Sequence, residues 1–170
     1  KTGITNLAME ASSHGIEQDR LSSVKIAAAG FTNLSRDHLD HHLDMDAYFD
    51  AKARLFTDLL PEGGGAVINI DDPAGQKLVK ELKGRAINII TIGRDTKADL
   101  KIEEINTFDG GMTVTASFQG QTWTIPIALL GEFQVENALM AAGLVHATGL
   151  SMTHALMALP YLKPAPGRMQ

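Results

Sequence analysis

The chain has 170 residues, 44% hydrophobic and 21% charged, with a formal charge of −5 and no cysteine. That balance fits one globular domain with its own core and excludes a disordered segment. The missing cysteines exclude disulfides and thiolate zinc sites, and a negative charge without any Lys/Arg-rich run argues against a nucleic-acid groove or an anionic membrane surface.

No apolar run reaches the ~18 residues of a bilayer-spanning helix, and no signal peptide is present, so a cytoplasmic protein without membrane insertion is expected. Both ends read as cut: the chain opens on "KTGITNLAMEASS" and closes on the Pro/Gly stretch "LKPAPGRMQ". A piece of a longer protein is the expectation.

"NLAME" (6–10) and "KIAAAGFTNL" (25–34) read as buried strands whose carboxyl ends turn polar. Residues 45–60 place Met45, Tyr48, Phe49, Leu55, Phe56, Leu59 and Leu60 on one helical stripe, which "PEGGG" (61–65) stops. Asp44 or Asp46 can cap that helix. "AVINI" (66–70) is a further strand, followed by a helix over 71–84 with Asp72 as N-cap, Pro73 in the first turn and Gly84 beyond its end. "AINIITIG" (86–93) returns as a strand. This rhythm predicts a mostly parallel α/β sheet flanked by helices, with right-handed crossovers.

The pattern then changes. Residues 99–129 alternate apolar and polar and break at Asp109-Gly110-Gly111 and Gln119-Gly120, which predicts a small antiparallel β-meander of three strands. A helix over 131–149 closed by Gly149, and a shorter one over 151–159 capped by Ser151, complete the mixed α/β domain.

Several stretches carry chemistry. Glu10 ends an apolar run, where α/β proteins place ligand-binding groups, and Ser12, Ser13, Gln18 and Arg20 follow within ten residues. The ordinary reading of the serines is turn chemistry. "DHLDHHLDMD" (37–46) packs three histidines and four aspartates into ten positions. His38 stands three and four residues before His41 and His42. Zinc is disfavoured without cysteines or a second histidine cluster, and a calcium loop lacks its spacing and central glycine. A divalent ion held by few protein groups, as Mg²⁺ is on nucleotide phosphates, fits better, beside the plain reading of a solvated loop.

Lys52 falls inside the apolar stripe, four residues after Tyr48 and four before Phe56. Either its stem packs and its amine reaches water, or the amine is held partly neutral and can take up carbon dioxide to become a carbamate. Gln134 and Asn137, three apart among small residues, could read an adenine edge or be surface amides. Arg168 in "PGRM" suits a phosphate or ribose. No Walker A motif and no Gly-x-Ser-x-Gly elbow occur.

Taken together and in this order, "MEASSHGIEQDR", "FTNLSRDHLDHH", "YFDAKARLF", "INIDD", "GEFQVENALMAA" and "PGRM" resemble the central ATP-binding domain of the Mur ligases over essentially all of residues 1–170. The match is closest to the member that adds the third peptide residue. The resemblance implies a P-loop-like central domain with an antiparallel sub-sheet over 98–130. The N-terminal UDP-binding domain, the phosphate loop and the C-terminal domain would lie outside the chain, which by itself is then expected not to ligate.

The activity implied is an ATP-dependent amide ligase. ATP phosphorylates the carboxylate of UDP-N-acetylmuramoyl-L-alanyl-D-glutamate, and a diamino acid attacks the acyl phosphate. The resemblance further implies Mg²⁺ at Glu10, His38 and a carbamylated Lys52. It places substrate at Ser12, Gln18 and Arg20, with Ser13 adjacent, and nucleotide at Gln134, Asn137 and Arg168. Gln134 stands where the family usually has Asn. A monomer is expected. The alternatives are a sister Mur ligase, a folylpolyglutamate synthase-like ligase, and a non-catalytic nucleotide- or metal-binding module.

Overall fold

The computed structural model describes residues 3–35 and 44–163. Its centre is one six-stranded sheet in sequential order: β1 (Ala28–Phe31), β2 (Gly65–Asn69), β3 (Asn88–Gly93), β4 (Leu100–Phe108), β5 (Gly111–Phe118) and β6 (Gln121–Ile127). Strands β1 to β4 pair in parallel, and β4 to β6 antiparallel. The predicted parallel sheet and meander are therefore one continuous surface.

Local chemistry explains most element boundaries. Helix α2 (Met45–Arg54) is capped by Asp44, whose Oδ1 accepts from Ala47 N at 2.8 Å. Asp46 instead reaches Lys77 Nζ at 3.4 Å. Helix α3 (Pro73–Glu81) begins with Asp72 Oδ1 accepting from Ala74 N at 2.7 Å. The β5–β6 turn places both Gln119 (φ 49°) and Gly120 (φ 79°) in the left-handed region, the twist a two-residue hairpin needs. Helix α4 spans Glu132–Ala147, and α5 (Met152–Met157) is capped by Ser151, whose Oγ accepts from His154 N at 3.3 Å.

The sheet has a core on each face. On one, Phe31, Phe49, Phe56, Ile68 and Leu78 join β1 and β2 to α2 and α3, with the Phe31 ring set edge-on to Phe49 and Phe56. On the other, Val67, Ile92, Leu139, Met140 and the inner face of the meander enclose α4 and α5. Helix α4 lies close against β2: a Cβ built on Gly65 would stand 2.5 Å from that of Ala147.

Two expectations change. The strand expected at 6–10 is irregular and exposed, with Leu7 at 78% and Met9 at 53%. An all-apolar strand forms when a neighbouring strand and covering layers satisfy it, and no described strand pairs with these residues. The helix expected over 45–60 remains α-helical to Arg54 and then widens into a π-helical turn, Leu55–Leu59. Leu60 N donates to Leu55 O at 3.0 Å across that turn. The guanidinium of Arg85 donates to the carbonyls of Thr57 and Leu60, satisfying acceptors that the turn leaves open. Among the described residues, no helix is long and apolar enough to cross a membrane.

Candidate functional site

Binding groups in a parallel α/β sheet collect beyond the carboxyl ends of its strands. Here Thr32 and Asn33 follow β1, Asn69 ends β2 and Ile92 lies near the end of β3. With Phe133, Glu136, Asn137 and Met140 from the first turns of α4 they line one cleft. Asn69 is buried, and its Oδ1 accepts from Asp71 N at 3.0 Å.

At the cleft's edge, Asp71 accepts from the backbone of Arg94 (2.9 and 2.8 Å) and Asp95 (3.1 Å), and the Arg94 guanidinium pairs with Glu132. Burial raises the proton affinity of Glu136. The nearby Asp71 and Glu132 add to this, while Arg94 opposes it. A carboxyl whose folded pKa is raised above its ordinary 4.5 destabilises the fold above that folded pKa, and the penalty fades as the pH falls towards 4.5. Glu136→Gln is expected to raise Tm at neutral pH, with the gain shrinking towards pH 4.5. Calorimetry across that range checks the sign.

Lys52 belongs to the other layer. It is half-buried on α2, and its Nζ lies 5.2 Å from the centroid of the Tyr48 ring. Burial lowers its proton affinity from the ordinary 10.5, against the opposing pull of Glu10 and Asp72. Asp72 has a second role: its Oδ2 accepts from Leu34 N at 3.0 Å, tying the segment after β1 to the start of α3. Glu10 is exposed on the irregular N-terminal segment. The structure thus draws Glu10 and Lys52 into one electrostatic neighbourhood, and Asp72 is a member that sequence reasoning missed.

His38, with Asp37, Asp40, His41 and His42, lies outside the described residues, as does Arg168. Among the described residues, no group of three or more His, Asp or Glu could hold a metal ion.

The Ser12–Arg20 segment is one compact turn. Ser12 Oγ accepts from Gly15 N at 3.1 Å and caps the short helix α1 (Ser13–Glu17). Ser13 is buried, Gln18 Nε2 lies 2.7 Å from His14 Nε2, and Arg20 N donates to Gly15 O at 3.0 Å. Ser12, Gln18 and Arg20 therefore belong to one short hydrogen-bonded segment.

On α4 the two amides part. Asn137 lines the cleft, whereas Gln134 is half-buried outside it, its N–H donating to Gly131 O at 2.9 Å. Sequence reasoning missed Phe133, Glu136 and Asn69. The available signal was a buried-strand asparagine at the carboxyl end of "AVIN" and an aromatic–acid pair flanking the amides.

The chain and its fold match a known domain family. The Mur ligase middle domain matches residues 1–145, and the chain belongs to that family. Within it, the chain is 39% identical over 173 residues to the UDP-N-acetylmuramoyl-L-alanyl-D-glutamate–2,6-diaminopimelate ligase of Bradyrhizobium diazoefficiens, covering 100% of this chain and 36% of that protein. It is 42% identical to the ligase of the same name from Mesorhizobium japonicum, covering 98% and 34%.

A solved structure of such a diaminopimelate ligase superposes with a TM-score of 0.83 at 36% identity, over 94% of this chain and 33% of that one. MurF from Acinetobacter baumannii, with a TM-score of 0.75 at 22% identity over 86% of this chain and 31% of that one, shares the fold. The chain spans about a third of the length of these relatives.

Proposed function

We propose that this chain is the ATP-handling middle portion of a cytoplasmic, monomeric ligase that joins 2,6-diaminopimelate to UDP-N-acetylmuramoyl-L-alanyl-D-glutamate in cell-wall precursor synthesis. The observation that carries the reading is Lys52. An amine with lowered proton affinity, half-buried beside Glu10 and Asp72, is suited to become a carbamate. In that reaction the nitrogen lone pair attacks carbon dioxide, an N–C bond forms, and the ammonium proton passes to water. The product is a carboxylate-like group where the fold had placed a lysine. The names and identities of the relatives support the substrate assignment.

The residues fit Mg²⁺, because a carboxylate and a carbamate are hard oxygen donors. Glu10, His38 and the Lys52 carbamate would hold it, and when bound it offsets charge on the phosphates and the acyl phosphate. Asp72 ties Leu34, four residues before His38 in sequence, to the start of α3. Ser12, Gln18 and Arg20 bind the carboxylate substrate on a preformed turn, while Asn137 and Arg168 hold the nucleotide. Gln134 does not line the cleft. Catalysis is then mainly positioning: an oxygen of the substrate carboxylate attacks the terminal phosphorus, ADP leaves, and the incoming amine displaces phosphate from the acyl carbon.

The UDP-gripping and amino-acid-selecting parts belong to segments beyond this chain, so residues 1–170 alone give no ligation. The test uses the full-length protein with ATP and the dipeptide precursor. Phosphate release and a tripeptide product by mass spectrometry are expected with diaminopimelate and not with L-lysine. Phosphate release that does not depend on the precursor would refute the reading.

A further inference from the structure

An ion pair joins the Ser12–Arg20 turn to helix α2, and the mechanism above gives it no task. Asp19 stands between Gln18 and Arg20 with its backbone in the left-handed region (φ 53°). Its N–H donates to Ile16 O at 3.0 Å and its carbonyl accepts from Ser22 N at 3.1 Å, so the bend is held from both sides. Its carboxylate leaves the turn and accepts from Arg54 Nη2 at 3.0 Å, 35 residues along the chain. Arg54 is the last residue of α2, two after Lys52. Its Nε donates to Asp58 Oδ2 at 3.2 Å, which orients the guanidinium fork from its own side of the contact. The other end of α2 is tied to α3: Lys77 Nζ reaches Asp46 Oδ1 at 3.4 Å and lies 4.0 Å from the centroid of the Phe49 ring. Ile16 and Leu21 also bury in the core that holds Phe49 and Ala53. Such apolar contacts set the spacing of turn and helix but are non-directional. The Asp19–Arg54 pair is the directed contact.

We propose that Arg54 is a positioning residue, which through Asp19 aligns the turn carrying Gln18 and Arg20 with the helix carrying Lys52. The inference rests on the reading above, in which the turn binds the carboxylate substrate and Lys52 becomes the carbamate. The substrate is then held by one element while the carbamate stands on the other. Their alignment decides whether the substrate carboxylate points in line for attack. The turn keeps its own hydrogen bonds, Gly15 N to Ser12 Oγ and Arg20 N to Gly15 O, whether or not Asp19 is paired. Removing the pair therefore leaves the substrate contacts in place on the turn, and it lowers kcat rather than raising KM. The effect is bounded, because the two side chains are 39% and 67% exposed and water and salt screen such a pair.

The test uses the full-length protein. Asp19→Asn removes the charge with a residue that also tolerates the left-handed backbone, and Arg54→Gln removes it from the other side. Each is expected to lower kcat about three- to fivefold, with KM for ATP and for the UDP-linked dipeptide unchanged. The double variant should be no slower than either single one, because both remove the same contact. The Lys52 carbamate, read by NMR after incubation with ¹³C-bicarbonate, should keep its wild-type intensity in every variant. A merely destabilised fold would lose signal and rate together. Unchanged kcat in the single variants, additive losses in the double, or a loss that tracks the carbamate signal would each overturn the positioning role while the reading of the site stands. Arg20→Ala separates the two, since it should raise KM for the dipeptide precursor about tenfold. An unchanged KM there would mean that the turn does not hold the substrate, and the reading and the inference fall together.

Discussion

Lys52→Met and Lys52→Arg in the full-length protein are each expected to lower ligation at least about 100-fold, because neither side chain can become a carbamate. Arginine keeps the positive charge and methionine the packing, so a shared loss isolates the carbamate from both. Wild-type protein incubated with ¹³C-bicarbonate should show one carbamate carbon by NMR that both variants lack.

The stability effect runs the other way. The folded amine has its pKa lowered from 10.5, so at neutral pH the fold carries the cost of burying the charged form. That cost fades as the pH rises through the folded pKa towards 10.5. Lys52→Met should therefore unfold at the same temperature as the wild type or a few degrees higher at neutral pH, with the gain disappearing in alkali. A variant that loses activity through unfolding would show the opposite shift. Full activity in Lys52→Met would remove the main physical support for the proposed function.

The second large effect is expected at Gly75, in the first turn of α3. A Cβ built there would stand 1.8 Å from the backbone oxygen of Asn69 and 2.9 Å from its carbonyl carbon. Alanine is the better helix former by up to about 1 kcal/mol, but no rotamer relieves a clash with backbone. The carbonyl belongs to the last residue of β2, whose side chain also lines the cleft. Gly75→Ala must push α3 away from the strand or bend the strand end, at an expected cost of about 3 kcal/mol or more. Denaturant titration should show a midpoint shift of that size at unchanged slope, and ATP affinity should fall with it as Asn69 moves. Wild-type stability in Gly75→Ala would mean that α3 sits further from β2 than described.

The sequence was legible wherever the deciding interaction spans a few residues. Asp44, Asp72 and Ser151 cap the helices that follow them because a short side chain needs only the next amides. Gln119-Gly120 turns because its two residues tolerate positive φ. Lys52 was readable as anomalous from its place in a helical stripe, and the structure sets it half-buried on α2. Segment 6–10 was misread as a strand, since composition proposes a strand but only a neighbour completes one. The π-helical turn after Arg54 was equally hidden: its carbonyls are taken by Arg85, about thirty residues along the chain, and local periodicity contains no trace of that partner.

The candidate site divides along the same line. The sequence by itself determined the family motifs, the alternation of strand and helix, the preformed Ser12–Arg20 turn and the oddity of Lys52, since each is written in neighbouring residues. Only the tertiary structure decided that Asn137 faces the cleft while Gln134 does not, and that Phe133 and Glu136 share it. It alone placed Asp72 near Lys52 while holding Leu34. Those outcomes depend on which strand ends lie side by side and on how closely α4 rests on β2. Such distances are set by packing between segments tens of residues apart, where no short pattern can record them.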